Sequence, residues 1–181
     1  MLPILSYALF LLAAFIGYFF LSGFIWGAGY YPTSKNEIDA VGRLLDLNEN
    51  SVFFDLGSGY GRMIIAVAEQ IGLKCIGIEV DPIKCWWTRR SIKRKKLEGK
   101  VQVLKANFLK EDLSNADAIF IFLSGEGKIM ERLKAKIQKE CPKNCRIVSY
   151  EHRFKGWSPL KTEEHLYLYS VPSEDIKSSS V

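Results

Sequence analysis

The segment from Val52 to Arg62 constrains the fold more than any other part of this sequence. It reads VFFDLGSGYGR, an apolar run that ends at Asp55 and passes into a loop with glycine at every second position. The next six residues, MIIAVA, are all apolar. This order predicts a buried strand, a tight turn and a helix that packs back on the sheet. The glycines let a ligand approach the backbone closely, and the first amide groups of the helix point towards that ligand.

Two classes of ligand fit such a loop, and the spacing of the motif separates them. A dinucleotide fingerprint, G-x-G-x-x-G, needs a third glycine where this chain has Arg62. Asp55 would also place a negative charge where phosphates should lie, whereas it suits a ligand that bears an ammonium group. A second short apolar strand ends at Glu79, where an acid can bind both hydroxyls of a ribose. Together these residues resemble the signature of class I S-adenosylmethionine-dependent methyltransferases.

The rest of the chain alternates predicted strands and helices. This alternation predicts an α/β fold with a doubly wound, mostly parallel Rossmann-like methyltransferase sheet, and only the last two strands are close enough to form a C-terminal hairpin. The predicted elements are helices over 35–47 and 129–140 and from 82 onwards, strands over 52–56, 75–79, 101–105, 116–122 and 146–149, and a hairpin of 157–162 with 165–171. We expect the methyltransferase domain over 30–172 and a disordered tail over 173–181.

The N-terminal segment differs in composition, since the first 34 residues carry no charged side chain. As a helix, residues 2–26 would be about 37 Å long, enough to cross a hydrocarbon core of about 30 Å. The basic start of a secretory signal and the arginines of a mitochondrial presequence are both missing from the sequence. We therefore expect residues 1–29 to form one transmembrane helix that precedes the sheet. Lys and Arg follow this segment but do not precede it, which predicts a single-pass membrane protein with its catalytic domain on the cytoplasmic side.

The helix that follows Asp81 is strongly basic. Between positions 84 and 100 the chain has eight Lys or Arg and one acid. Trp86, Trp87 and Ile92 are expected to form the buried face of this helix, so that the charges project outward. These charges form either a solvated surface or a contact with anionic headgroups or an acidic partner. Nucleic acid is not expected as a partner, because the chain has no basic patch interleaved with aromatic residues.

The four cysteines do not form a disulfide framework. Cys141 and Cys145 make a C-x-x-x-C pair without a second pair or a nearby histidine, which is a poor zinc site, so no metal is expected. We expect all four to be reduced and mostly buried thiols.

Further motifs narrow the family. Tyr31-Pro32-Thr33 precedes the first helix of the domain, the loop after the fourth strand is short, and Trp157-Ser158-Pro159 leads into the hairpin. With the Asp55–Arg62 motif and Glu79, they resemble compact protein-lysine methyltransferases. That group comprises archaeal broad-specificity enzymes and membrane-anchored mitochondrial relatives that modify the c-ring protein of ATP synthase or the adenine nucleotide translocase. Tyr60 departs from the pattern, in which Asp or another polar residue is usual.

The resemblance implies S-adenosyl-L-methionine as the cofactor and assigns residues to it. Asp55 and Gly57 would bind the methionine portion, with Thr33 closing over it. Glu79 would hold the ribose, and Asn107 would hydrogen-bond the adenine. The full set of residues assigned to the cofactor is Thr33, Asp55, Gly57, Gly59, Gly61, Glu79 and Asn107.

The resemblance also implies a lysine amine as the methyl acceptor. Such an amine has a pKa of about 10.4 and must lose a proton before it reacts. Desolvation in an aromatic slot lowers that pKa, and Tyr31 and Tyr150 are the candidates for this slot. Glu126 and His152 are alternatives for accepting the proton or orienting the substrate. Each of these four residues also has a structural explanation, as packing, as a charge near a helix N-terminus or as an exposed edge residue.

The expected function is therefore a membrane-anchored protein-lysine N-methyltransferase whose protein substrate lies in or beside the membrane. Two alternatives stay open. One is a membrane-tethered protein that binds S-adenosylmethionine without turnover and uses its basic helix as an interaction surface. The other is a methyltransferase for a small membrane-associated molecule, which is disfavoured because the chain after Ser149 is short for an apolar lid.

Overall fold

The structure is a computed structural model that describes residues 2–26, 35–123 and 127–171. Within the first helix, side chains are described at 4–14, 17 and 18. The elements in chain order are α1 (Leu2–Trp26), α2 (Lys35–Leu45), β1 (Val52–Leu56), α3 (Arg62–Ile71), β2 (Lys74–Glu79), α4 (Pro82–Arg94), β3 (Val101–Lys105), β4 (Ala118–Ile121), α5 (Lys128–Glu140), β5 (Arg146–Tyr150), β6 (Lys161–Glu163) and β7 (Leu166–Ser170).

The strands form one seven-stranded sheet in the order β3-β2-β1-β4-β5-β7-β6. Strands β1 to β5 are parallel, whereas β7 runs antiparallel to both β5 and β6. The order reverses between β1 and β4. In open α/β sheets, ligands bind beyond the carboxyl ends of the strands at this switch point. The topology therefore places a binding site at the edge where β1, β2, β4 and β5 end, which we call the strand-end edge.

Helices cover both faces of the sheet, as predicted for a doubly wound fold. Successive side chains of a strand point to opposite faces, so Phe53 joins the core beneath α2, α3 and α4, and Phe54 joins the core beneath α5. Both residues are buried. Because the central strands are buried on both sides, their sequences read as continuous apolar runs rather than as alternating ones.

The terminal hairpin is confirmed, although its first strand starts later than predicted. The ring of Trp157 packs 5.1 Å from Phe154 and 5.9 Å from Tyr169, centroid to centroid. Regular pairing of β6 with β7 begins only at Lys161. Trp157 therefore packs against the core before the strand begins, whereas Leu160 is exposed.

The expected burial of Trp86 and Trp87 is wrong. These side chains are 54% and 44% exposed, and their rings contact each other edge to face at 5.1 Å. The buried stripe of α4 instead contains Cys85, Thr88 and Ile92, whose helical spacing places them on one side of α4. The helix is therefore rotated relative to the sequence-based expectation. All four cysteines of the chain are buried free thiols, as predicted.

The expected transmembrane helix over residues 1–29 is also wrong, and with it the single-pass localisation and the cytoplasmic placement of the domain. Across residues 2–26, 35–123 and 127–171, no helix combines the length and the apolarity needed to cross a membrane. The predicted tail over 173–181 lies outside the described residues.

Candidate functional site

The glycine-rich loop, residues 57–61, is tied to the end of β2 by its backbone. The amides of Gly57 and Ser58 both donate to the carbonyl oxygen of Ile78, over 2.9 and 3.1 Å. Gly57 has φ +87°, and a Cβ atom there would lie 3.2 Å from Leu123 Cδ2. The loop is therefore held between the ends of β2 and β4, in a backbone conformation that favours glycine.

Glu79 ends β2 and is buried, and two backbone amides hold its carboxylate in place. Its Oε2 accepts a hydrogen bond from the amide of Gly59 over 2.8 Å, and its Oε1 accepts one from the amide of Asp81 over 2.8 Å. Each carboxylate oxygen keeps a second lone pair for another donor. The side chain is thus fixed at the strand-end edge, ready to accept hydrogen bonds from a pair of hydroxyls.

Thr88 of α4 holds the other end of the glycine-rich loop in place. The sequence analysis did not predict this role. Its hydroxyl lies within donor distance of the Lys84 carbonyl oxygen, at 2.9 Å, and of the Gly59 carbonyl oxygen, at 3.2 Å. Gly61 has φ +72°, and a Cβ atom there would lie only 2.4 Å from Thr88 Cγ2. Gly61 is therefore required both by its backbone conformation and by the close approach of α4.

Asp55 lies in β1, beside Gly77 of β2 and Phe120 of β4, and is only 4% exposed. Burial, together with the charge of Glu79, raises the pKa of Asp55 to about 8. The carboxyl group is therefore largely protonated at neutral pH in the unliganded protein. A positively charged group placed beside it would favour the carboxylate form, which is the chemistry expected of an ammonium-binding acid.

Tyr18 brings α1 to the same edge of the sheet, a contact that the sequence did not indicate. Its hydroxyl donates to Asp81 Oδ1 over 2.6 Å. The same oxygen accepts hydrogen bonds from the amides of Ile83 and Lys84 and so caps the N-terminus of α4. Burial and this hydrogen bond raise the pKa of Tyr18 above its usual range. Helix α1 therefore packs beside the end of β2, next to Glu79.

Asn107 follows β3 at the outer end of the same edge. The preceding residue, Ala106, donates its amide to the carbonyl oxygen of Glu79 over 2.9 Å, so the two strand ends stay adjacent. Asn107 Oδ1 accepts a hydrogen bond from the amide of Leu109 over 2.9 Å. This turn fixes the orientation of the Asn107 side chain one residue beyond that contact, and the adenine contact stays a prediction.

The ends of β4 and β5 form the second half of the site, which we call the Tyr150 side. The first half, built from residues 55–61 and 79, is called the glycine-loop side. Ile121 of β4 pairs with Ser149 of β5. The next residue along each strand, Phe122 and Tyr150, therefore lies beside the other where the two strands end. Their ring centroids are 4.3 Å apart. The Tyr150 hydroxyl donates to Glu37 Oε1 of α2. That hydrogen bond, together with burial, raises the pKa of Tyr150 to about 12.

Three residues that the sequence assigned to the site, Tyr31, Thr33 and Glu126, lie outside the described residues, so their roles stay predictions. His152 lies just beyond β5, and its carbonyl oxygen accepts a hydrogen bond from the Ser149 hydroxyl over 2.6 Å. The structure thus brings together Asp55, the loop glycines, Glu79 and Asn107 on one side, and Tyr150 on the other.

These residues fit S-adenosylmethionine. A buried acid that favours a nearby cation suits the ammonium group, a fixed carboxylate suits the ribose hydroxyls, and close-packed glycines leave room for a ligand against the backbone. The seven-stranded order with its antiparallel β7 is a Rossmann-like methyltransferase fold. Fold and site together define a class I S-adenosylmethionine-dependent methyltransferase.

Comparisons with known proteins agree with this class. Residues 55–161 match the family model described as the ANTKMT methyltransferase domain, and this chain belongs to that family. It is 28% identical over 151 residues to a protein-lysine N-methyltransferase of Saccharolobus islandicus, a match that covers 78% of this chain and 92% of the relative. It is 30% identical over 132 residues to the mouse adenine nucleotide translocase lysine N-methyltransferase, covering 72% of this chain but only 56% of that protein.

A solved structure gives the same fold with a ligand bound. The RNA methyltransferase from Salinibacter ruber, in complex with S-adenosyl-L-homocysteine, superposes with a TM-score of 0.75 and 26% identity. The superposition covers 80% of this chain and 95% of that one. This protein is therefore a methyltransferase with S-adenosylmethionine as its cofactor.

Proposed function

We propose that this protein is a protein-lysine N-methyltransferase. The observation that carries the proposal is the match to the archaeal protein-lysine N-methyltransferase along 92% of that relative's length. The match to the mouse lysine methyltransferase points to the same acceptor chemistry, although this chain spans only about half of that protein. We assign the activity to a domain of residues 30–172.

The glycine-loop side supplies the cofactor site in this proposal. Asp55 binds the ammonium group, and Glu79 accepts hydrogen bonds from both ribose hydroxyls while the loop amide of Gly59 keeps its carboxylate aligned. Asn107 contacts the adenine from the end of β3. When bound, S-adenosylmethionine supplies an electrophilic methyl group, whose bond to sulfur breaks as a bond to the acceptor nitrogen forms.

The Tyr150 side supplies the acceptor site. Phe122 and Tyr150 offer aromatic surface at the level of the loop, and an aromatic slot favours the neutral form of an amine by keeping water away. On the α5 side of the sheet, a cavity of about 800 Å³ lies between α5 and residues 151–155. Charged side chains of both signs line this cavity, among them Glu131, Lys134 and Arg153. An open, charged groove of this kind suits a polypeptide segment better than a small apolar molecule.

The proposal is tested by supplying tritiated S-adenosylmethionine and purified protein to a cell extract from a strain that lacks the gene. Protein, RNA and lipid are then separated, and the protein fraction is hydrolysed to amino acids. We expect the label in methylated lysine and only background label with the Glu79→Ala variant. Label in RNA, in lipid or in methylated arginine would contradict the proposal; the RNA outcome is measured because the Salinibacter ruber neighbour is an RNA methyltransferase.

A further inference from the structure

Glu37 and Tyr150 form a hydrogen-bonded pair across the strand-end edge that the sequence did not reveal. Glu37 lies in the first turn of α2, and Tyr150 ends β5. The tyrosine hydroxyl donates its proton to Glu37 Oε1, and the ring is held between Phe122, at 4.3 Å, and His165, at 6.1 Å, centroid to centroid. A hydroxyl fixed in this way has its oxygen lone pairs available for an incoming N–H donor.

The pair lies at the right level of the sheet to meet the reacting nitrogen. The glycine loop contacts the chain just beyond β4, since a Cβ atom at Gly57 would lie 3.2 Å from Leu123 Cδ2. Phe122 and Tyr150 continue the same level on the neighbouring strands. Adjacent strands are about 4.8 Å apart. Because β4 lies between β1 and β5, the backbone of Tyr150 lies two strand spacings, about 10 Å, from the loop that follows β1. A lysine side chain that enters between the loop and Tyr150 brings its nitrogen between the cofactor and the tyrosine hydroxyl.

The charges around the pair favour a cationic side chain. A small cavity of about 260 Å³ is lined by both partners. The titratable groups that face Tyr150 are Arg43 from α2, Glu151 after β5, and Glu163, Glu164 and His165 from the β6–β7 turn. Arg43 is engaged with Glu163, Nη2 to Oε1, at 3.0 Å. The charges of Glu37, Glu151 and Glu164 each raise the pKa of Tyr150, so the potential at its hydroxyl is negative and attracts an ammonium group.

We propose that Glu37 is the final acceptor of the proton that the target lysine loses, and that the Tyr150 hydroxyl relays it. This inference rests on the proposed lysine methyltransferase function and names the proton path of that same site. The N–H bond of the lysine ammonium breaks as its proton passes to the Tyr150 oxygen, while the proton of Tyr150 passes to Glu37 Oε1. The amine is left neutral with its lone pair available, and Glu37 then releases the proton to water.

The structure favours this coupled transfer over a stepwise one. Tyrosine is neutral before and after the relay, so no tyrosinate needs to form, and the high pKa of Tyr150, about 12, makes a free tyrosinate costly at neutral pH. Glu37 is only half-buried, so water reaches it to take the proton away. Neither Glu126 nor His152 is needed for this path.

The test compares initial rates of methyl-lysine formation at saturating cofactor, with the same cell extract as substrate, between pH 7 and pH 9.5. Glu37→Gln keeps an oxygen that accepts the Tyr150 hydrogen bond but cannot hold the extra proton. General base catalysis typically contributes about 10²–10⁴-fold, so we expect this variant to be about 100-fold slower at pH 7. The deficit should shrink to less than about fivefold at pH 9.5, where solvent removes the proton more readily.

Further variants separate the relay from a structural role. Tyr150→Phe should match Glu37→Gln at pH 7, and the double variant should be no more than about twofold slower than either one. Glu69→Gln removes an exposed acid of α3, whose ion pair is with Lys95, and should stay within about threefold of wild type. Calorimetry should give each variant the wild-type affinity for S-adenosylhomocysteine within about twofold.

Two results would overturn the relay while leaving the lysine methyltransferase function intact. One is a Glu37→Gln rate within about threefold of wild type at pH 7, and the other is an equal loss at every pH. Absence of methyl-lysine with the wild-type enzyme would instead contradict the proposed function, and the relay with it.

Discussion

The two sides of the site are assembled in different ways. On the glycine-loop side, residues 55–61 and 79 lie close together in sequence, and backbone amides and carbonyls hold them in position. On the Tyr150 side, Glu37 and Tyr150 are 113 positions apart and meet through side chains alone. A ligand bound on the first side meets a carboxylate, that of Glu79, which main-chain amides hold in place, whereas one bound on the second side meets a tyrosine held by another side chain.

This difference separates cofactor binding from acceptor chemistry. Backbone positions are set by the fold, so the first side can bind the same cofactor in relatives that act on different substrates. The second side depends on side chains from α2, β5 and the β6–β7 turn. Variants on the two sides should therefore affect different measured quantities.

The largest effect is expected on the glycine-loop side, from Glu79→Ala. The variant loses two hydrogen bonds from the ribose to a charged acceptor, worth about 1.5–3 kcal/mol each. The dissociation constant for S-adenosylmethionine should therefore rise at least about 100-fold, as measured by calorimetry. Glu69→Ala is the matched control, because Glu69 is an exposed acid whose described ion pair is with Lys95, at 2.7 Å. If Glu79→Ala bound S-adenosylmethionine with wild-type affinity, Glu79 would not be the residue that binds the ribose.

The next effect concerns the close packing of the loop against α4. Gly61→Ala forces a residue with a side chain into positive φ and against the methyl group of Thr88, which should lower the free energy of unfolding by about 2–4 kcal/mol. Gly42→Ala, in α2, meets nothing within 4 Å and should raise it by about 0.5–1 kcal/mol. Urea titration measures both.

Thr88→Ser sharpens this comparison, since it keeps the hydroxyl but removes the methyl group. Added to Gly61→Ala, it should recover part of the lost stability. If Gly61→Ala alone proved as stable as wild type, the loop would not be packed against α4 as described.

A smaller effect is expected from the buried acid. The pKa of Asp55 is raised to about 8 in the unliganded protein, and an ammonium group beside it would lower that pKa. Binding should therefore release a proton, and the affinity for S-adenosylmethionine should rise up to about tenfold per pH unit between pH 6 and pH 7.5. Calorimetry in two buffers with different ionisation enthalpies measures the released proton.

Asp55→Asn is the control for this pH dependence and should bind more weakly with a flat profile. The same group also affects stability. An acid whose pKa is raised on folding binds its proton more tightly in the folded state, so its contribution to unliganded stability declines as pH rises from about 4 to about 8. A wild-type affinity independent of pH would argue against Asp55 as the ammonium-binding acid.

The smallest effect is expected from the exposed ion pair on the Tyr150 side. Arg43 contacts Glu163 at 3.0 Å, but the Arg43 side chain is 64% exposed. Arg43→Ala should therefore change the free energy of unfolding by less than about 1 kcal/mol. Cofactor affinity should not change, since the pair lies on the other half of the site. A large loss of affinity would show that the two sides are coupled.

The contrast between the two sides also explains how much the sequence could predict. The strand, turn and second acid of the glycine-loop side form one local pattern, and the structure brings these residues together as expected. Thr88 and Glu37 carry no such signal, because their roles come from tertiary contacts with Gly59 and Tyr150.

Two expectations failed for identifiable physical reasons. Burial of Trp86 and Trp87 was inferred from side-chain type, whereas the rotation of α4 is set by its packing through Cys85, Thr88 and Ile92. The transmembrane segment was inferred from the apolar composition, the missing charges and the length of residues 2–26. Hydropathy does not register a tertiary contact such as the hydrogen bond from Tyr18 of α1 to Asp81.

A crystal structure of the protein with S-adenosylhomocysteine tests the two-sided site most directly. We predict Glu79 within hydrogen-bond distance of both ribose hydroxyls, Asp55 beside the ammonium group, and the sulfur atom facing the gap between the glycine loop and Tyr150. A ligand whose sulfur faced away from Phe122 and Tyr150, or whose ribose did not contact Glu79, would contradict this arrangement.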